Sequence, residues 1–158
     1  MSKKGFAAMG WIVIALITVS CTKSPDTAQE RATIEKTISD GIGWAVNKDF
    51  DLMHSLFACD EHLLIVNPDS SLVVGCEQFR ELEDFFGDPR FKALYHEMRD
   101  LKYTISQSGT VVWYYCELDD VCEWNGRRCG WIGVRWTGVL EKRGGRWVHV
   151  QQHFSYPK

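Results

Sequence analysis

Apolar positions recur every three or four residues in the first third of the chain and every second residue in the last third. The helical period covers Thr27 to Asn47, where Ile34, Ile38, Ile42 and Ala45 make one apolar face. Asp49 caps a short second helix, Phe50 to Phe57, with Leu52, Leu56 and Phe57 inward. His62 to Val66 and Ser71 to Val74 form a small hairpin around the turn residues Asn67-Pro68-Asp69-Ser70. Cys76 to Phe86 is a third helix, carrying Phe79, Leu82, Phe85 and Phe86, and Gly87-Asp88-Pro89 stops it.

From Phe91 the period becomes two. Strands are expected over Phe91 to Ser106, Thr110 to Glu123, Arg128 to Glu141 and Arg146 to Tyr156, turned at Ser108-Gly109, Asn125-Gly126 and Gly144-Gly145. Tyr95, Leu101, Tyr103 and Ile105 are expected on one side of the first of these. Helices first and a long meander last give an α+β fold, a curved antiparallel sheet wrapped around three N-terminal helices.

Side-chain alternation then assigns faces. An uninterrupted ladder from the Asn125-Gly126 turn pairs Glu117 with Val134 and Tyr115 with Trp136. Trp113, Tyr115, Glu117, Val134, Trp136 and Leu140 would share one apolar, aromatic face with an acid embedded, which is how a core opens into a pocket. The opposite face carries Tyr114, Cys116, Trp131, Arg135 and Thr137. The last strand has two registers. The favoured one, with a glycine bulge at Gly144-Gly145, adds Val148, Val150, Gln152 and Phe154 to the Tyr115 face. It gathers Arg135, Thr137, His149, Gln151, His153 and Ser155 into a polar patch, with His153 opposite Arg135.

The N-terminal residues change the picture of where the domain sits. Lys3 and Lys4 precede an uncharged run from Gly5 to Ser20, shorter than the roughly 20 residues that span a bilayer. The run ends Thr18-Val19-Ser20-Cys21, which resembles a bacterial lipobox, although Thr18 stands where Leu is usual. Residues 1–20 are thus expected to be a lipoprotein signal, Cys21 the lipidated residue, 21–27 a tether and 28–158 the domain. The expected address is the cell envelope, held to the membrane by the lipid alone. Disulfides persist there. Cys122 and Cys129 flank the Asn125-Gly126 turn and are the candidate bridge. The five cysteines after Cys21 are an odd number, so at least one is left over or pairs between chains.

Loss of Lys3 and Lys4 takes the net charge from −3 to −5. No basic stripe suited to nucleic acid remains. The sequence has no G-x-S-x-G, no phosphate-cradling glycine loop and no H-E-x-x-H, and the histidines lack metal-ligand spacing. Neither a cofactor nor a metal is expected.

The element order, the run from Arg135-Trp136-Thr137-Gly138 through Gly144-Gly145-Arg146-Trp147 to His153-Phe154-Ser155, and Asn67-Pro68-Asp69 with Gly75 before the third helix together resemble the nuclear transport factor 2-like, or SnoaL-like, superfamily. The resemblance spans residues 28 to 157. It implies the cone-shaped, cystatin-like α+β roll, but not one function, because the superfamily holds isomerases, dehydratases, cyclases, assembly domains and ligand binders. Three readings follow. One is a small, largely apolar ligand held against Trp113, Tyr115 and Trp136, with Arg135 and Gln152 contributing polar contacts and Glu117 orienting it. The second is an enzyme resembling ketosteroid isomerase, with Glu117 as base and Tyr115 or His153 as donor to the developing enolate. The third is a homodimer whose patch around Arg135 and His153 is an interface. Each residue also has a plainer reading: Glu117 paired with a nearby Arg or Lys, His153 bonded to Ser155, and the aromatic residues as core.

Overall fold

The computed structural model describes residues 27–157. The expected signal segment and Cys21 lie outside the described residues. The order is α1 (Ala28–Asn47), α2 (Phe50–Leu56), β1 (Leu64–Val66), β2 (Leu72–Val74), α3 (Gly75–Gly87), β3 (Phe91–Ile105), β4 (Val111–Trp124), β5 (Arg127–Arg143) and β6 (Arg146–Ser155). Thr27 caps α1 by accepting the Glu30 amide at 3.1 Å, and Asp49 caps α2 by accepting the Leu52 amide at 2.9 Å.

The six-stranded sheet runs β2-β1-β6-β5-β4-β3. The four long strands form the expected antiparallel meander. The small hairpin joins it differently, because β1 pairs with β6 in parallel, Ile65 opposite Gln152. The sheet is therefore mixed. α1 packs across its concave side, burying Ile34, Ile38, Trp44 and Ala45.

Curvature comes from interruptions in the ladder, each of which bends the strand that carries it. β3 gains an extra residue at Leu94 and another beside Asp100, whose φ is +52°. β5 gains one at Ile132–Gly133, opposite Asp119, with Gly133 at φ +65°. β6 gains one at Val150.

These bulges overturn the face assignment. Between Asp120↔Trp131 and Leu118↔Val134 the register slips by one, so Trp136 lies opposite Cys116, not Tyr115. The inner face of β4 is Val112, Tyr114, Cys116 and Leu118, all buried. Trp113 (50% exposed), Tyr115 and Glu117 turn outward, while Trp136 stays inside, fully buried. On β3 the Asp100 irregularity separates Tyr95, which is exposed, from Leu101, Tyr103 and Ile105, which pack on the core.

On β6 the Gly144-Gly145 turn is a plain two-residue turn, Arg143 opposite Arg146, and the bulge comes later, at Val150. Gln152 and Phe154 do share the inner face with Trp136, as expected. His149 does not join the outer patch: it points inward and is fully buried.

Two disulfides tie the fold. Cys122–Cys129, the candidate pair, bridges directly opposed residues of the β4–β5 hairpin with Cα atoms 5.0 Å apart. Cys59–Cys76 joins the segment after α2 to the start of α3, with Cα atoms 4.6 Å apart. Among the described residues Cys116 is left as a free thiol, buried, and burial pushes its pKa up to about 12.

Candidate functional site

The space between the helices and the inner sheet face is not completely filled. An inner chamber of about 100 Å³ lies against Trp44, Phe86, Trp131, Gln152 and Phe154. Two wider recesses, of about 330 and 340 Å³, share its Phe86 and Trp131 walls. The first reaches Asn67, Asp69 and Tyr156 at the rim; the second runs under the Cys122–Cys129 bridge. The chamber is small beside sites for drug-sized ligands, which run from roughly 300 to 1,000 Å³.

Among the described residues Asp120 is the one charged residue lining the inner chamber. Alternation along β4 puts it on the same face as Leu118 and Cys116, directly opposite Trp131 on β5 and His96 on β3. Among the described residues its carboxyl makes no side-chain hydrogen bond or ion pair. Burial with no compensating donor pushes its pKa up to about 6. His96 reaches α1, its Nε2 lying 3.0 Å from Ser39 Oγ. Burial lowers the pKa of His96, with the Asp40 carboxylate pulling the other way. Gly43 makes room for that imidazole, since a Cβ there would lie 2.9 Å from it.

Behind the chamber sits a buried polar cluster. His149 Nε2–H donates to the Thr37 carbonyl of α1 at 3.1 Å. Its Nδ1 is then the acceptor, taking the Tyr114 hydroxyl at 3.3 Å and the Gln152 amide at 3.2 Å. The ring stacks on Phe57, centroids 5.0 Å apart, with Trp136 on the other side at 6.2 Å. Burial lowers the His149 pKa to about 4 and raises that of Tyr114 well above its usual range. Gly41 and Gly138 shape this cluster: a Cβ at Gly41 would collide with His149 Nε2, and one at Gly138 with the Tyr114 hydroxyl. The cluster ties α1 to β4 and β6 and positions the chamber wall, with the two donors Tyr114 and Gln152 sharing His149 Nδ1. It meets the chamber through Gln152, and Tyr114 also borders a separate recess beside Trp113 and Tyr115.

The residues singled out from sequence divide between the two faces. Gln152 lines the chamber, and Trp136 packs behind it in the aromatic core with Phe154. Glu117, Tyr115, Trp113, Arg135 and His153 belong to the outer face, so the structure does not bring Glu117 together with any hydrophobic hollow inside the cone. Glu117 sits 3.9 Å from Arg99, directly across from Arg135, which is its plainer reading. Arg99 itself clasps Asp119 through two bonds of 3.0 and 2.8 Å. Arg135 is exposed and donates to the Tyr156 carbonyl at 2.8 Å. Its strand partner is Ser155, and His153 lies across from Thr137.

Asp120 and His149 are what sequence reading missed. Asp120 stands near the hairpin end, where alternation alone does not reveal burial, and the bulge that turns His149 inward lies at Val150, not at Gly144-Gly145. Gly133, a glycine interior to a strand, marks the β5 bulge that places Trp136 opposite Cys116, and no comparable residue marks the bulge at Val150. Among the described residues no group of three or more His, Cys, Asp or Glu is placed to hold a metal ion.

Comparison with known proteins follows the same architecture. Residues 34–158 match the SnoaL-like domain family. No curated protein matches by sequence. Among solved structures, an NTF2-like protein from Cytophaga hutchinsonii superposes with a TM-score of 0.66 at 14% identity, over 81% of this chain and 98% of that one. A protein of unknown function with a cystatin-like fold from Nostoc punctiforme gives a TM-score of 0.60 at 13% identity, over 82% and 92%. The association domain of C. elegans CaMKII gives 0.57 at 21% identity, over 82% and 96%. At these identities the likeness is one of fold.

Proposed function

Since this chain belongs to the SnoaL-like domain family, where the fold leaves function to the lining of each hollow, we propose that it binds a small, largely apolar molecule between its helices and its sheet, with Asp120 as the polar contact. The observation that supports this is the Asp120 carboxyl, largely enclosed by aromatic side chains and without a protein partner. The carboxyl is partly buried with no donor beside it among the described residues, and a wall built only for stability would carry an apolar residue there. Native mass spectrometry of the protein purified from its own source tests the reading. A retained small molecule, lost when Leu82→Trp fills the space that Leu82 lines, is the expected result. Equal retention by the variant would count against it.

A second reading shares the site. A carboxyl titrating near 6 with an imidazole directly opposite is suited to take a proton from carbon beside a carbonyl, leaving an enolate. Asp120 then fills the role of base that sequence reading gave to Glu117. Deuterium exchange into small ketones, lost in Asp120→Asn, distinguishes an enzyme from a plain binder.

The outer face, with Trp113 and Ile132 at 50% and 60% exposure, supplies the contact of a homodimer in this account. Sedimentation as a monomer at high concentration would contradict it. The chain is held in the cell envelope by lipid on Cys21. The two disulfides agree with an oxidising compartment. Incorporation of labelled palmitate, abolished by Cys21→Ala, is the expected outcome.

A further inference from the structure

Resting on the reading of the hollow as a binding site, we propose that it selects small organic cations, of the alkylammonium class, over neutral or anionic molecules of the same shape. The first support is the charge inventory. Among the described residues, the lining of the inner chamber and both adjoining recesses contains two carboxylates, Asp120 and Asp69, and no Lys, Arg or His. Asp69 at the rim already accepts from Ser71, at 2.9 Å from its amide and 2.7 Å from its hydroxyl. Asp120 accepts from nothing among the described residues.

The second support is the wall. Phe86 and Trp131 line all three spaces, with Trp44, Phe154 and Trp124 beside them. Aromatic faces attract cations, by about 2 kcal/mol or more when water is excluded. The rim of the same wall already takes two of the protein's own cations. Arg90 lies over the Trp124 ring at 4.7 Å, and Lys48 lies 5.9 Å from the Phe91 ring centre. Both are answered locally. Arg90 bonds to Asp88, and Lys48 donates to the Asp88 carbonyl at 2.9 Å. They leave the Asp120 charge unmet.

Charge state decides the sign. Near neutral pH a carboxyl with a pKa of about 6 is mostly ionised, so the hollow holds an anion without a counterion. A neutral occupant would seal that charge away from water, and an anion would be repelled. A cation completes an ion pair whose carboxylate is already partly desolvated, which lowers the usual penalty for burying such a pair. No other element facing Asp120 competes. α3 presents Phe79, Leu82, Phe85 and Phe86; β6 presents Gln152; β5 presents Trp131. On β3, His96 is bonded to Ser39, and burial keeps it disposed to stay neutral, with Asp40 of α1 beyond it. On β4, Cys116 is an uncharged thiol.

The test uses three probes of one shape: choline, 3,3-dimethylbutan-1-ol, which replaces the ammonium nitrogen by carbon, and 3,3-dimethylbutanoate. Calorimetric or ligand-observed NMR titration of the full chain at pH 7.5 is expected to show choline binding at least about tenfold tighter than the alcohol, with the carboxylate weakest. The preference is expected to collapse at pH 5, where Asp120 is protonated, and in Asp120→Asn. The wild-type comparison stands even where that variant folds poorly. Binding of the alcohol as tightly as choline would overturn the charge selection and leave the hollow a binding site. Failure of all three to bind at millimolar concentration would overturn both.

Discussion

The Asp119 carboxylate accepts the Gly133 amide at 2.7 Å, and this bond holds the bulge that decides which face of the sheet lines the hollow. One extra residue in β5 turns Trp136 inward opposite Cys116 and leaves Glu117 outside opposite Arg135. Arg99 clasps the same carboxylate, so the outer ion pairs and the inner lining are set by one junction.

Gly133 stands at φ +65°, with open space where a Cβ would be, so a substitution there is opposed by backbone conformation alone. Gly133→Ala is expected to cost about 1 kcal/mol, Gly133→Asn less, and Gly133→Val more. Asp119→Ala, which removes both the amide acceptor and the Arg99 partner, is expected to cost about 1–3 kcal/mol. Urea unfolding of the set checks the order, and equal losses for Ala and Asn would contradict it.

Asp120 opposes folding at neutral pH, because its carboxyl is ionised in a hollow that resists the charge. With a folded pKa of about 6 against an ordinary value of 3.8, the folded state binds the proton first as pH falls, so this group's penalty disappears on acidification. Asp120→Asn is expected to raise stability at pH 7 by about 2 kcal/mol and to lose that gain by pH 4. Denaturant midpoints at both pH values measure it; a variant less stable than the parent at pH 7 would contradict the account.

His149 titrates in the opposite sense. Its pKa is lowered to about 4, so between 6.5 and 4 the unfolded chain takes up a proton that the folded chain refuses, and stability falls with pH by up to about 3 kcal/mol. His149→Phe strips partners from Tyr114 and the Thr37 carbonyl and is expected to be about 2–3 kcal/mol less stable at pH 7. The deficit is expected to narrow towards pH 4.5. A gap independent of pH would mean the imidazole is not buried neutral.

The Cys59–Cys76 bridge closes a chain separation of 17 residues and anchors the start of α3, whose Phe79, Leu82 and Phe86 wall the hollow. Replacing both cysteines by serine is expected to cost about 3 kcal/mol. It is also expected to speed hydrogen exchange in α3 before β4 and β5. Exchange that rises uniformly would show that the bridge does not act locally.

Much of this architecture was legible in the sequence. Helical spacing of Ile34, Ile38 and Ala45, the Asp49 cap, the Asn125-Gly126 turn and the opposed Cys122 and Cys129 each reported local geometry that the chain alone dictates. The site was less legible, because alternation carries a face assignment only until the first bulge. Ile132–Gly133 and Val150 each invert everything beyond them, and so Glu117 and His149 exchanged sides. The parallel pairing of β1 with β6 was also out of reach, since three-residue strands carry little pattern.

The most direct measurement is the titration of the Asp120 carboxyl itself, followed by NMR of carboxyl-labelled protein with Asp120→Asn for assignment. A midpoint near 6, set by burial in the hollow, is expected, and it moves lower when a cationic probe occupies the hollow. A midpoint in the ordinary carboxylate range near 4, unmoved by any probe, would contradict it.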